Sequence, residues 1–507
     1  MTTTAITPTL MFAAPCGPVA GWADGEVIRA SGIPYAVAGR FTAPVPAPDW
    51  VEPFDATEPA PACPQITSPF LEDVLGGAMG DLPRDEHCQR LSVTLPRDAR
   101  VDEGLPVMVW IHGGSYTTGA GDAAIMDPAR LVAEQRVVVV TVTYRLGLFG
   151  YLGSGHHRPA NLGLLDQLEA FRWVRRNITA FGGDPSNVTA FGQSAGADAV
   201  AHLMATPDAV SLFRRAILQS PPLGITRGRA AMNEAMNQAA EIVTADTPVA
   251  EVVDLQAEVA AHAAPFGLMG AMAFGTQYGH HPLPEEEEIE AAWDQVAPHI
   301  DVLIGHTTEE ARLHIPGAPR LRRWVQLPLI GPLIRRAVVD YVSAAVYTRA
   351  IRRFAIRHTR AGGTAHTYEI SWAAAGNEYG ASHAIDLPLL FGHEHTWAGT
   401  GLVAGAEWQE IDAHGLQVRR LWADFARGTP LEEKGRIPGA LSYRRAPDLP
   451  WVQMTRRTSP VGDGGAPVPG ARHHLPDNPP PVHPARTSSP VLSEECHEGA
   501  GSFSPSW

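Results

Sequence analysis

Three runs of apolar residues punctuate the first half of the chain: Pro106-Val107-Met108-Val109-Trp110-Ile111, Val137-Val138-Val139-Val140-Thr141-Val142 and Val188-Thr189-Ala190-Phe191. None alternates with polar positions, so each reads as a strand covered on both faces, as in a mainly parallel sheet with helices on either side. Between the second and third runs, Asn161 to Val174 spaces its apolar groups at helical intervals. A helix rich in small residues follows the third run, starting at Ala195. Strand, helix, strand and helix in this order predict an α/β fold, a mostly parallel central sheet flanked by helices. Further on, Val302-Leu303-Ile304 reads as another strand. From Arg312 to Arg360, paired arginines at Arg322-Arg323, Arg335-Arg336 and Arg352-Arg353 are spaced among apolar residues. Amphipathic helices of a cap are favoured there over a membrane-surface face.

Candidate chemistry sits where two of these strands end. Gly192-Gln193-Ser194-Ala195-Gly196 closes the third run and has the layout of a nucleophile elbow, a sharp strand-to-helix turn that exposes the central hydroxyl. Glycines two before and two after the serine are needed because side chains there would clash across the turn. The first run ends in His112-Gly113-Gly114-Ser115, a loop rich in backbone N–H groups with few side chains in the way. Acyl transfer needs such donors, since charge builds on the carbonyl oxygen and each preorganised donor is worth about 3–4 kcal/mol.

At this point the chain resembles a known family, the type-B carboxylesterases and lipases of the α/β-hydrolase superfamily. The resemblance runs through Gly17-Pro18-Val19-Ala20-Gly21, Gly32-Ile33-Pro34-Tyr35-Ala36 and Tyr144-Arg145-Leu146-Gly147-Leu148-Phe149-Gly150. It peaks at Phe181-Gly182-Gly183-Asp184-Pro185-Ser186-Asn187-Val188-Thr189 and persists to Leu421-Trp422-Ala423-Asp424-Phe425-Ala426. It implies an α/β-hydrolase fold with cap excursions, and ester hydrolysis through an acyl-enzyme on a Ser-Glu-His triad in that chain order. Ser194 takes the nucleophile's place. The motif Gly305-His306-Thr307-Thr308-Glu309-Glu310 puts the acid at Glu310, preferred by motif alignment over its neighbour Glu309. Ser382-His383-Ala384-Ile385-Asp386-Leu387 resembles the family's histidine loop and makes His383 the base, ahead of His306 and of His112, which the family uses for shape.

The same resemblance assigns the oxyanion hole to the backbone N–H groups of Gly114, Ser115 and Ala195, with Gly113 shaping the turn. Ser115 stands where many members have a third glycine. Ser220 matches a serine that supports the triad, and Arg145 with Asp166 and Arg40 with Glu86 match structural ion pairs. Cys63 and Cys88 match positions bridged in secreted relatives; whether they are bridged here is left open. No tryptophan occurs in Ser68 to Gly80, which speaks against choline esters as substrates. The nucleophile's presence speaks against the non-catalytic members. Amide, carbamate or lactone cleavage on the same machinery, and a non-catalytic scaffold, are the alternatives to ester hydrolysis.

Composition narrows the remainder. A 507-residue chain with 45% hydrophobic and 18% charged residues has ample material for a core. A formal charge of -15 repels phosphate, so nucleic acid is not an expected partner. The expected partner is a small-molecule ester, on a monomer or weak homodimer. The chemistry calls for no cofactor and no metal. Met1-Thr2-Thr3-Thr4-Ala5-Ile6-Thr7-Pro8 lacks a basic n-region and a long apolar stretch, and no segment is apolar enough for stable membrane insertion, so a cytoplasmic protein is expected. Residues 1–454 are read as the hydrolase domain. Residues 455–507, rich in Pro, Gly and Ser, are read as a low-complexity tail that cannot offset its chain entropy and stays disordered.

Overall fold

Parallel strands dominate the centre of a 13-stranded sheet and antiparallel strands close both its flanks. The computed structural model describes residues 10–66, 69–76, 82–154, 157–316 and 323–447. The proposed boundary at residue 454 and the tail beyond it lie outside the described residues.

The chain opens with β1 (Leu10–Ala14), β2 (Gly17–Asp24), β3 (Val27–Pro34) and β4 (Arg90–Pro96), an antiparallel meander. Next come β5 (Leu105–Ile111) and β6 (Val138–Thr143), which pair in parallel, and the helix α1 (Leu162–Asn177). Then follow β7 (Gly183–Gln193), the helix α2 (Ala195–Leu203), β8 (Arg215–Gln219) and β9 (Asp301–Thr307). After β9 come α3 (Gly331–Ser343) and α4 (Arg349–Arg360); α4 packs against β9 and β10 (Ala365–Ile370) as the crossover between them, so this part of the expected cap belongs to the sheet's own helical layer. The helices α5 (Asp386–Leu390) and α6 (Trp408–Arg427) and the hairpin β11 (Lys434–Ile437) and β12 (Leu441–Arg445) complete the described chain.

Strand order is β1-β2-β3-β4-β6-β5-β7-β8-β9-β10-β12-β11, with the two-residue strand Phe54–Asp55 beside β2 as the thirteenth, and every pair from β6 to β10 is parallel. The three apolar runs fall in β5, β6 and β7 and are themselves buried almost throughout, because helices cover both faces. In such a sheet, ligands gather beyond the carboxyl ends of the strands. The loops after β5, β7, β9 and β10 carry the candidate residues, and they all leave from that edge.

Two ion pairs expected from the sequence hold this end together. Arg145 grips Asp166 through two bonds, Nε to Oδ2 at 2.8 Å and Nη2 to Oδ1 at 2.7 Å, with both side chains buried. Arg40 Nε donates to Glu86 Oε2 at 2.7 Å in a more exposed setting. Cys63 and Cys88 are both buried, and both are free thiols, which closes the question of a bridge. Cys63 Sγ instead accepts the N–H of Leu146 at 3.3 Å.

Candidate active site

Ser194 occupies the turn between β7 and α2 at φ 57° and ψ -126°, a conformation that costs a residue with a side chain about 1–3 kcal/mol. Hydrogen bonding holds it there: its N–H donates to Gln219 O on the adjacent strand at 2.8 Å, and its carbonyl accepts from Asp198 N at 2.9 Å. The flanking glycines are needed for space. A Cβ on Gly192 would lie 2.7 Å from the backbone of Gly196, and one on Gly196 would lie 2.0 Å from Ile111 O. The clash across the turn expected from the sequence is present at Gly192; at Gly196 the obstacle is instead the end of β5 and the backbone of His112.

The loop after β5 faces this turn. Gly114 has φ +112°, and a Cβ there would sit 2.1 Å from Thr118 O, since Gly114 O accepts the N–H groups of both Thr117 and Thr118. Ser115, in place of a glycine, adopts φ 54° and keeps the left-handed turn. Gly113 lies against Gln193 and Ser194, its would-be Cβ 2.6 Å from Gln193 O. Among the described residues no acceptor is found for the N–H groups of Gly114, Ser115 and Ala195, and Gly114 and Ser115 border the cavity that Ser194 faces. His112 is buried beneath, stacked on Tyr144 at 4.3 Å, its Nδ1 against Gly113 O and its pKa pushed down to about 4 by burial. That fits a role in loop shape.

Glu310 follows β9 and is fully buried. Its Oε1 accepts the Ser220 hydroxyl at 2.6 Å and the Thr307 N–H at 2.7 Å, and its Oε2 meets His383 Nδ1 at 2.5 Å. Burial would raise its pKa, but the charge and hydrogen bond of His383, with the bonds from Ser220 and Thr307, outweigh that and hold the carboxyl below its usual range. For His383, burial pulls downward while the Glu310 charge and hydrogen bond and a lesser push from Asp386 pull upward, and the net shift is up. Glu309 instead pairs with Arg312 at 2.8 Å, and His306 bonds its neighbour's carbonyl at 2.8 Å. The structure thus brings Glu310, and neither of the sequence rivals, to His383.

The other ring nitrogen has a partner that the sequence did not announce. Gln193 Nε2 lies 3.1 Å from His383 Nε2. An amide N–H can only donate, so Nε2 carries the lone pair and Nδ1 carries the proton given to Glu310. No hydrogen bond joins Ser194 Oγ to His383 among the described residues; both side chains line one cavity of ≈ 250 Å³. Its walls are mainly apolar, from Leu71 and Leu75 through Leu268 and Met272 to Val338 and Val342 on α3. His314 also lines it, and burial, with a smaller effect from the nearby His383, takes its pKa down to about 4. Among the described residues no cluster of three or more His, Cys, Asp or Glu is arranged to hold a metal ion.

Comparison with known proteins identifies the family. A model of the carboxylesterase family matches residues 9–320. The chain belongs to the carboxylesterase family. The esterase is 37% identical over 421 residues to a probable N-octanoylanthranilate hydrolase of Rhodococcus erythropolis, covering 81% of this chain and 91% of that protein. It is 33% identical to the para-nitrobenzyl esterase of Bacillus subtilis strain 168, over 82% of this chain and 90% of that one. Among solved structures, a thermophilic para-nitrobenzyl esterase superposes with a TM-score of 0.71 at 30% identity, covering 85% of this chain and 93% of the other. The esterase therefore has the α/β-hydrolase fold and is a serine hydrolase of carboxylic esters. Among its described residues no helix is long and apolar enough to cross a membrane.

Proposed function

We propose that Ser194, His383 and Glu310 form the triad of this esterase, with Gly114, Ser115 and Ala195 as oxyanion donors. The observation that carries the reading is the 2.5 Å contact of Glu310 with His383, whose ring borders the same cavity as the strained serine. In the proposed reaction the Gln193 amide yields its place, Ser194 Oγ moves onto His383 Nε2, and the hydroxyl loses its proton as it attacks the ester carbonyl. The negative oxygen that forms is met by the three backbone N–H groups. The imidazolium, stabilised by Glu310, protonates the departing alcohol, and a water activated by the same ring frees the acid from Ser194.

The apolar cavity suits an uncharged acyl or alkoxy group, and esters of short or medium acyl chains are the proposed substrates. Amide cleavage is the second reading, favoured by the relative named for hydrolysis of an N-octanoyl amide. Labelling with a fluorophosphonate, followed by p-nitrophenyl esters of increasing acyl length, tests both the nucleophile and the substrate. Labelling must vanish in Ser194→Ala. An unlabelled wild-type protein, or a labelled alanine variant, would refute the assignment.

A further inference from the structure

Behind the imidazole lies a second buried carboxyl that the reaction described so far does not use. Asp386 begins α5, three residues after His383, and is 1% exposed. Its Oδ2 accepts Gln219 Nε2 at 2.5 Å, and Gln219 Oε1 in turn accepts Trp422 Nε1 at 3.0 Å. Gln219 is also the residue whose carbonyl holds the N–H of Ser194. One side chain of β8 thus clamps Asp386 while its backbone clamps the nucleophile's turn.

The clamp leaves Asp386 Oδ1 buried with no partner among the described residues, and the same is true of Tyr368 Oη on β10. Burial holds the Tyr368 hydroxyl well above its usual range, and the nearby Asp386 and Glu310 carboxylates push it further. A buried carboxylate with an open oxygen costs folding free energy, so a purely structural role is poorly served by an acid here. An amide at the same place could meet Gln219 equally well.

We propose that Asp386 is a positioning residue for the triad, a carboxylate whose negative charge adds to that of Glu310 in holding the imidazolium of His383. This rests on the triad reading given above. The charged and titratable groups around Asp386 are few. His383, three residues away on the same loop, and Glu310 are its charged neighbours; Gln219 on β8 and Tyr368 on β10 are neutral. On α6, Arg419 gives one N–H to Leu389 O at 2.9 Å and is otherwise committed to Glu134 and Asp412. Burial takes the pKa of Asp386 up to about 6, against the bond from Gln219 and the charge of His383.

The test is the pH dependence of kcat/KM for the full-length Asp386→Asn enzyme on a p-nitrophenyl ester. Removing the negative charge lowers the pKa of His383, so the base stays neutral to lower pH. The acid limb should move down by about half a pH unit, with KM within twofold of wild type. Asp386→Glu should return the limb towards wild type. In the wild-type enzyme, the downfield imidazole N–H resonance of His383 should titrate in two steps, because Asp386 ionises beside it. A limb that coincides in Asp386→Asn and wild type, a uniform loss at every pH, or a single-step titration would overturn the proposal. Fluorophosphonate labelling separates the two claims. Labelling at the full rate in His383→Ala defeats the triad and this proposal together, whereas abolished labelling with an unmoved limb defeats this proposal alone.

Discussion

Gln193 Nε2 lies 3.1 Å from Nε2 of His383, the nitrogen assigned to receive the proton of Ser194. A glutamate at the same position would turn this donor into a negative charge beside the ring. The imidazolium would then be favoured and the neutral base lost at higher pH. In Gln193→Glu the acid limb of kcat/KM should move up by about one pH unit, equivalent to about 1.4 kcal/mol of added stabilisation of the charged ring. A pH–rate profile unchanged from wild type would mean that the amide does not sit against the ring in solution.

The Ser220 hydroxyl gives Glu310 Oε1 one of its two hydrogen bonds, and Thr307 N gives the other. A bond to a charged acceptor contributes about 1.5–3 kcal/mol. Ser220→Ala should therefore cost roughly ten- to a hundredfold in kcat/KM while KM barely moves, measured with a saturable p-nitrophenyl ester.

Glu310 links activity to acid stability. Its carboxyl is held below the 4.5 of an ordinary glutamate, so its contribution to folding is complete above that value and is lost as pH falls through the lower folded pKa. Glu310→Gln should lower kcat by about three to four orders of magnitude, as loss of the group that orients the histidine does in such triads. In urea titrations the stability gap between Glu310→Gln and wild type should be constant above about pH 5 and shrink below it.

Asp166 has no exposure and leaves Arg145 without its partner when truncated. Asp166→Ala should destabilise the esterase by about 3–5 kcal/mol, read from the urea midpoint, because a buried cation remains unpaired. Replacing both residues by apolar ones of similar size should recover much of the loss.

Gly196 tolerates no side chain, since a Cβ would come within 2.0 Å of Ile111 O and 2.6 Å of His112 O, both backbone atoms. Gly196→Ala should lower the melting temperature and abolish fluorophosphonate labelling together, because the helix α2 can only move away by carrying the Ser194 turn with it.

How much of this was legible beforehand follows from range along the chain. The apolar runs marked β5, β6 and β7 because burial on both faces leaves no polar positions to interrupt them, and α1 came out within a few residues of its observed ends. The antiparallel flanks were not legible: the meander β1 to β4 pairs residues in ways that no local pattern records. Motif order singled out Ser194, Glu310 and His383, since each loop keeps its own short signature, and of these the structure joins Glu310 to His383. Gln193 stood inside the quoted pentapeptide and Asp386 inside the quoted histidine loop, yet neither could be connected to the ring at 383. The contact of Gln193 with the ring depends on how the end of β7 meets the histidine loop, and the bond of Asp386 to Gln219 on where β8 meets α5, both set by tertiary packing of the sheet. Ser115 posed a question about loop shape, answered by its φ of 54°: the turn keeps a glycine's geometry despite the side chain.

The turn at Ser194 is clamped from both neighbouring strands, by a hydrogen bond to Gln219 O and by the close approach of Gly196 to Ile111. Its unfavourable dihedrals can relax only if β5, β7 and β8 part, and those strands form the middle of the sheet. Heating should therefore not silence the enzyme gradually. Catalytic competence should persist until the molecule melts as a whole, and the two losses should share one midpoint.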